Sequence, residues 1–148
     1  MANTNAQVEA EKWIREHALP KMFGQTFRQR SLLLTSKGEF KFDAVSDDQQ
    51  IVAVISTSTA VTSGGKSGGG KLMKIRSDIY WFFLLEQQPE RRLLVFTDQS
   101  MIDLINEEKK KGRFPHEFEL VKIGLPADLQ TKVTEAQKAA SDEVKPRR

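Results

Sequence analysis

The feature that most constrains this chain is Ile51-Val52-Ala53-Val54-Ile55, five consecutive apolar residues between a polar turn and a hydroxyl-rich segment. A strand with one wet face alternates, whereas a strand that is apolar at every position must be covered on both faces. The run is too short for an interior helix and rich in β-branched residues, so it predicts a central, buried strand. Leu93-Leu94-Val95-Phe96, entered through Arg92, has the same character. Between the two runs, Leu72, Ile75, Ile79, Phe82 and Phe83 recur near helical spacing, which predicts a helix over 71–87. Strand, helix, strand in that order is a parallel crossover unit, and such units are right-handed.

The remaining elements attach to this unit. Val8, Trp13, Ile14 and Leu19 mark an amphipathic helix over 6–18, closed by Pro20. Residues 27–34 read as a strand ending at the Ser36-Lys37-Gly38 turn. In Glu39-Phe40-Lys41-Phe42-Asp43-Ala44-Val45, alternation sends Glu39, Lys41 and Asp43 one way and Phe40, Phe42 and Ala44 the other. The turn at 46–50 then makes 39–57 an antiparallel hairpin in mid-sheet, with Asp43 near the end of its strand. Asp98 is a plausible cap for a helix over 98–111, whose closing Lys109-Lys110-Lys111 suits the helix dipole. Phe118 to Ile123 alternates as a last strand, and beyond Pro126 the chain is a polar helix or a flexible tail. The expected fold is α/β: a mixed sheet flanked by helices, in the order helix, three strands, helix, strand, helix, strand. At 148 residues and 39% hydrophobic, 1–126 form a single domain with one core.

Composition narrows the chemistry. With no cysteine, disulfides, thiol catalysis and Cys-ligated zinc are excluded, and two histidines are too few for a His-based metal site or triad. No apolar stretch is long enough to span a bilayer. The N-terminus lacks the basic start and apolar run of a signal peptide, so the expected location is cytoplasmic. The net charge of +3 permits a polyanionic partner without demanding one. That leaves nucleic acid, a protein partner or a second copy of the chain as partners.

Charge is unevenly placed. No Asp or Glu occurs from Gln49 to Ser77, yet Lys66, Lys71, Lys74 and Arg76 all fall there, with five of the nine glycines. Glycines let backbone N–H groups approach phosphate oxygens while lysines supply charge. Ser63, Gly64, Gly65, Lys66, Lys71, Lys74 and Arg76 are therefore the expected nucleic-acid contacts. The bland alternative is a solvated surface loop. A nucleotide-binding loop is a further reading of Ala60 to Ser67, with Asp98 as its magnesium ligand. Gly68-Gly69-Gly70 argue against it, because glycine costs about 1 kcal/mol per residue in a helix interior.

The stretch Phe42-Asp43-Ala44-Val45-Ser46, then Ile51 to Ser58, then Thr62-Ser63-Gly64-Gly65-Lys66 and Gly70-Lys71, resembles the PD-(D/E)XK superfamily, the restriction-endonuclease-like fold. The resemblance covers roughly residues 9–123. It implies a magnesium-dependent nuclease whose metal-binding Asp matches Asp43 and whose first-helix carboxylate matches Glu11 or Glu9. The strand Glu and Lys of that family fall on Val54 and Ser56 and are lost. Ile55, between them, keeps only a backbone carbonyl for the metal. A replacement lysine would come from Lys71, Lys74 or Lys41. The resemblance thus implies a degenerate nuclease-like module that binds nucleic acid or acts as a scaffold. The alternative is a residual metal-dependent nuclease using Asp43, Glu11 and a relocated lysine such as Lys71.

Overall fold

The computed structural model describes residues 5–60 and 69–143. Its core is a five-stranded mixed sheet in the order β1 (Phe27–Leu33), β2 (Glu39–Ser46), β3 (Ile51–Ser56), β4 (Arg91–Phe96), β5 (Phe118–Lys122). The first three strands are antiparallel neighbours, and β3, β4 and β5 run parallel. β3 is the middle strand, and all five residues of its apolar run are buried.

Both faces of β3 are covered, as its sequence requires. Val52 and Val54 pack into a layer with Ile75, Ile79 and Phe82 of α3 (Gly69–Phe83) and Met101 and Ile105 of α4 (Gln99–Lys110). Ile51, Ala53 and Ile55 pack on the other face with Ile14 and Leu19. A further helix, α5 (Ala127–Glu143), lays Leu129, Val133 and Ala136 against Ala6 and Ala10 of α1 (Asn5–Trp13). Residues 127–143 are therefore a helix with a buried stripe. Among the described residues, no helix is long and apolar enough to cross a membrane.

The first helix differs from expectation. Pro20 does not close it: α1 runs into a π-helical turn, Ile14–Ala18, and on into α2 (Leu19–Phe23). In that turn Leu19 N–H reaches back to the Ile14 carbonyl, and Pro20 falls in the first turn of α2, where its missing N–H is least costly. The true stop is Gly24, at φ +69°, whose N–H bonds the Pro20 carbonyl at 2.8 Å. Glycine adopts that left-handed conformation without steric cost.

α3 also stops earlier than its apolar spacing suggested. Its C-terminal segment turns to pair with the end of β1: Thr35 N–H bonds the Leu84 carbonyl at 2.8 Å and Glu86 N–H bonds the Leu33 carbonyl at 3.1 Å. Asp98 caps α4 as expected, accepting the Ser100 N–H at 2.9 Å.

Candidate acidic site at the fork of the sheet

An extra residue in β2 builds the site. Arg28 pairs with Val45 and Arg30 with Phe42, so two steps along β1 match three along β2. This bulge resets the alternation. Phe40 and Phe42 face α3, but Ala44 faces the first helix and Val45 faces α3 again. The expectation that Phe40, Phe42 and Ala44 share one face therefore fails at Ala44. Asp43 sits at the bulge, inside its strand and not at its end.

Beyond the bulge β2 and β3 part. Their pairing reaches only Ala44 with Ala53, although β3 continues to Ser56. The Ile55 N–H is thereby left without a backbone partner on β2, and the Asp43 carboxylate accepts it at 2.7 Å. The guanidinium of Arg15, in the π-helical turn, donates to the Asp43 carbonyl at 3.1 Å. In an extended residue N–H and C=O leave from the same edge. The Ile55 carbonyl, the group that the resemblance offers to a metal, therefore lies on the Asp43 side of β3.

Asp43 feels two further carboxylates, Glu11 and Asp78. Burial, and then the neighbouring Asp43 carboxylate, push Glu11 up to about 7, against the pull of Arg15 and Lys74. Burial also raises Asp43; the Ile55 N–H, Lys74 and Arg15 oppose the rise and the Asp78 carboxylate adds to it. Asp78 is 8% exposed and is raised by burial, while Lys74 Nζ donates to it at 2.8 Å. Helix spacing explains two of these meetings. Glu11 and Arg15 are four apart across the start of the π turn, and so are Lys74 and Asp78 on α3.

Several expected residues come together here and others do not. Glu11, Asp43, the Ile55 backbone and Lys74 converge. Glu9 turns away to Lys132 of α5, with 3.4 Å between the charged atoms, which leaves Glu11 as the first-helix acid at the fork. Lys71 stands one turn before Lys74 on α3, half-exposed. Arg76 lies on the other side of α3 and pairs at 2.7 Å with Glu108 of α4, which also takes Arg113 at 2.7 Å. Glu108 is buried, so Arg76 serves a structural bond between two helices. Ser63, Gly64, Gly65 and Lys66 lie outside the described residues. Val54 packs into the core, and Ser56 Oγ accepts the Ser58 N–H at 3.3 Å, so neither position replaces the missing strand acid or lysine.

Asp78 and Arg15 were not foreseen. The signal for Asp78 was a carboxylate set between Ile75, Ile79 and Phe82, on the apolar side of its own helix. As for the nucleotide-loop reading, α3 does begin within the glycine run, at Gly69. Its proposed magnesium ligand Asp98, however, is engaged as the α4 cap, and the Ser100 hydroxyl also donates to it while accepting the Ala60 N–H at 2.9 Å.

Chemically, the fork offers two carboxylates that repel one another and one backbone carbonyl. Among the described residues, no three His, Cys, Asp or Glu side chains are grouped to hold a metal ion. Magnesium, however, is commonly held by one or two carboxylates together with water and substrate phosphates. The pair fits a cation that arrives with a phosphate better than a resident one. No protein-family model, curated protein or solved structure matches this chain.

Proposed function

We propose that this protein is a restriction-endonuclease-like domain that binds the nucleic-acid backbone at the fork and has lost ordinary nuclease activity. A divalent cation shared by Glu11, Asp43 and a backbone phosphate would make the contact. The observation that carries this reading is the meeting of Glu11 and Asp43 where β2 and β3 part, with Asp43 raising Glu11 and Lys74 lowering it. Two half-buried carboxylates in mutual repulsion gain from a cation, and Lys74 beside them suits a phosphate oxygen. Val54 and Ser56 remove the acid and the lysine that cleavage would use. The test is fluorescence anisotropy of labelled oligonucleotides with and without magnesium, for wild type, Glu11→Gln and Asp43→Asn. Magnesium should strengthen binding to the wild type and to neither variant. Equal binding with and without magnesium would overturn the cation bridge. No binding at all would leave the scaffold reading.

A second reading keeps catalysis, and one observation favours it: Lys74 acts on both Glu11 and Asp43, where a relocated lysine would have to stand. Cleavage in manganese that is abolished by both Lys74→Ala and Asp43→Ala would establish it. Absence of cleavage above background would leave binding without catalysis.

A further inference from the structure

Lys74, Asp78 and Trp81 follow one another at i, i+4 and i+7 on α3 and so share one side of the helix. That side faces β2. Trp81 lies flat on Phe40, with ring centroids 4.8 Å apart and planes at 10°, while Asp78 and Lys74 act on Asp43. Phe40 and Asp43 are separated by about 10 Å of extended strand. An aromatic surface therefore lies directly beside the acidic fork. Tyr80, 57% exposed, meets Trp81 edge-on at 5.5 Å. On β1, Arg30 is paired with Phe42, and directly paired residues project from the same face of a sheet. The exposed Arg30 therefore stands on the Phe40–Trp81 side of the sheet.

A flat indole already fixed by a second ring is a pre-organised stacking surface, since little side-chain freedom remains to be lost on binding. Arg30 supplies a cation on one side; on the other, Lys74 is held to Asp78 at 2.8 Å but stays largely exposed, with ammonium donors left for a phosphate, so the surface suits a polyanion carrying free aromatic faces. Duplex DNA hides its base faces in the stack; an unpaired strand presents them. We propose that this surface takes single-stranded nucleic acid, with a base stacked on Trp81 and bordered by the Tyr80 ring, and phosphates beside Arg30 and Lys74. The backbone is thereby led to Glu11 and Asp43. This inference rests on the reading of the fork as a nucleic-acid site and names the strand state it recognises.

The experiment uses the full chain carrying Trp13→Phe, which leaves Trp81 as the sole tryptophan. It is titrated with an oligo-dT, an oligo-U and a duplex of equal length, following Trp81 emission and anisotropy. Either single strand should quench Trp81 and bind more tightly than the duplex, and the tighter of the two names the sugar. Tyr80→Ala, at an exposed position that leaves folding intact, should weaken single-strand binding about fivefold or more. Arg30→Ala should reduce the log–log salt slope by about 0.7. Trp81→Ala should give the largest loss, and Trp81→Phe, which keeps a ring on Phe40, should recover much of it. Duplex binding without preference for a single strand, or Tyr80→Ala and Trp81→Ala both without effect, would overturn the stacking surface and leave the reading of the fork standing. Failure of every oligonucleotide to bind would overturn both.

Discussion

The Asp43 carboxylate accepts the backbone N–H of Ile55 at 2.7 Å, across the gap where β2 and β3 separate. The bulge at Asp43 ends the ladder at Ala44 and Ala53, and the same residue then satisfies the next unpaired donor of β3. Its own carbonyl, freed by the bulge, is taken by Arg15 at 3.1 Å. One aspartate thus closes the sheet and supplies charge to the fork. A bond that a side chain makes in place of the backbone leaves an opening in the sheet that a regular ladder would close.

Removing that carboxylate should therefore cost stability. Asp43→Ala leaves the buried Ile55 N–H without its acceptor, a loss of about 1–3 kcal/mol. Asp43→Asn keeps an acceptor oxygen and removes the repulsion with Glu11 and Asp78, so it should lie close to the wild type. Urea unfolding midpoints at pH 7 decide this. An Ala variant as stable as the wild type would mean that water replaces the side chain at Ile55.

Stability should fall as pH rises through the Glu11 titration. The Glu11 carboxyl titrates near 4.5 in the unfolded chain and about 7 in the folded one. Between those values the folded state binds more protons than the unfolded state, so unfolding free energy decreases with pH. The contribution is fully present below pH 4.5 and is lost as pH passes 7. Because Glu11 is partly exposed, solvent screening reduces the effect to the order of 1–2 kcal/mol. Glu11→Gln should flatten the profile and be the more stable protein at pH 8. Chemical denaturation at pH 5 and pH 8 measures the difference. A wild type equally stable at both pH values, with a parallel Gln variant, would rule out the buried-acid account.

Much of this architecture was legible in the residues. Ile51 to Ile55 had to be central because no position in the run tolerates water, and Asp98 was legible as a plausible helix cap because its side chain matches the free N–H groups there. Asp43 and Glu11 could be paired only through the resemblance, since 32 residues separate them in the chain. What escaped depends on contacts far apart in sequence. The bulge arises from how β1 and β2 match, and alternation within one strand carries no sign of it. Arg76 appeared to be one of a set of free cations because its partner, Glu108, lies on another helix. Pro20 appeared to be a terminator because a π-helical turn, which accommodates it, leaves no mark in apolar spacing.

Lys74 and Arg76 of α3 should be separable by experiment. Lys74 lowers Glu11, Asp43 and Asp78, so Lys74→Ala should raise all three, taking the Glu11 midpoint above 7. Arg76 faces Glu108, and Arg76→Ala should leave the Glu11 midpoint unchanged while weakening the α3–α4 contact. Side-chain carboxyl carbon shifts followed by NMR across pH 4 to 9 report each midpoint. Equal responses to the two substitutions would show that the cations act at long range and not through the contacts described.

Magnesium should stabilise this protein in a pH-dependent way if the fork binds it. A proton and a divalent cation compete for the Glu11–Asp43 pair, and only the ionised pair is a good ligand. Glu11 is half protonated at about pH 7, so apparent affinity should drop by up to tenfold for each pH unit below that value. Binding to the folded state alone raises the melting temperature in proportion to RT ln(1 + [L]/Kd). Millimolar magnesium should therefore raise Tm at pH 8 and have little effect at pH 5.5. The wild type is also destabilised by its own carboxylate repulsion at pH 8, so the cation has the most to relieve there. Glu11→Gln, already relieved of that repulsion, should show no magnesium response at either pH. Melting curves at both pH values, with sodium chloride matched for ionic strength, separate site binding from screening. The same Tm increment at pH 5.5 as at pH 8, or an undiminished response in Glu11→Gln, would place magnesium elsewhere on the surface and remove the cation from the account of the fork.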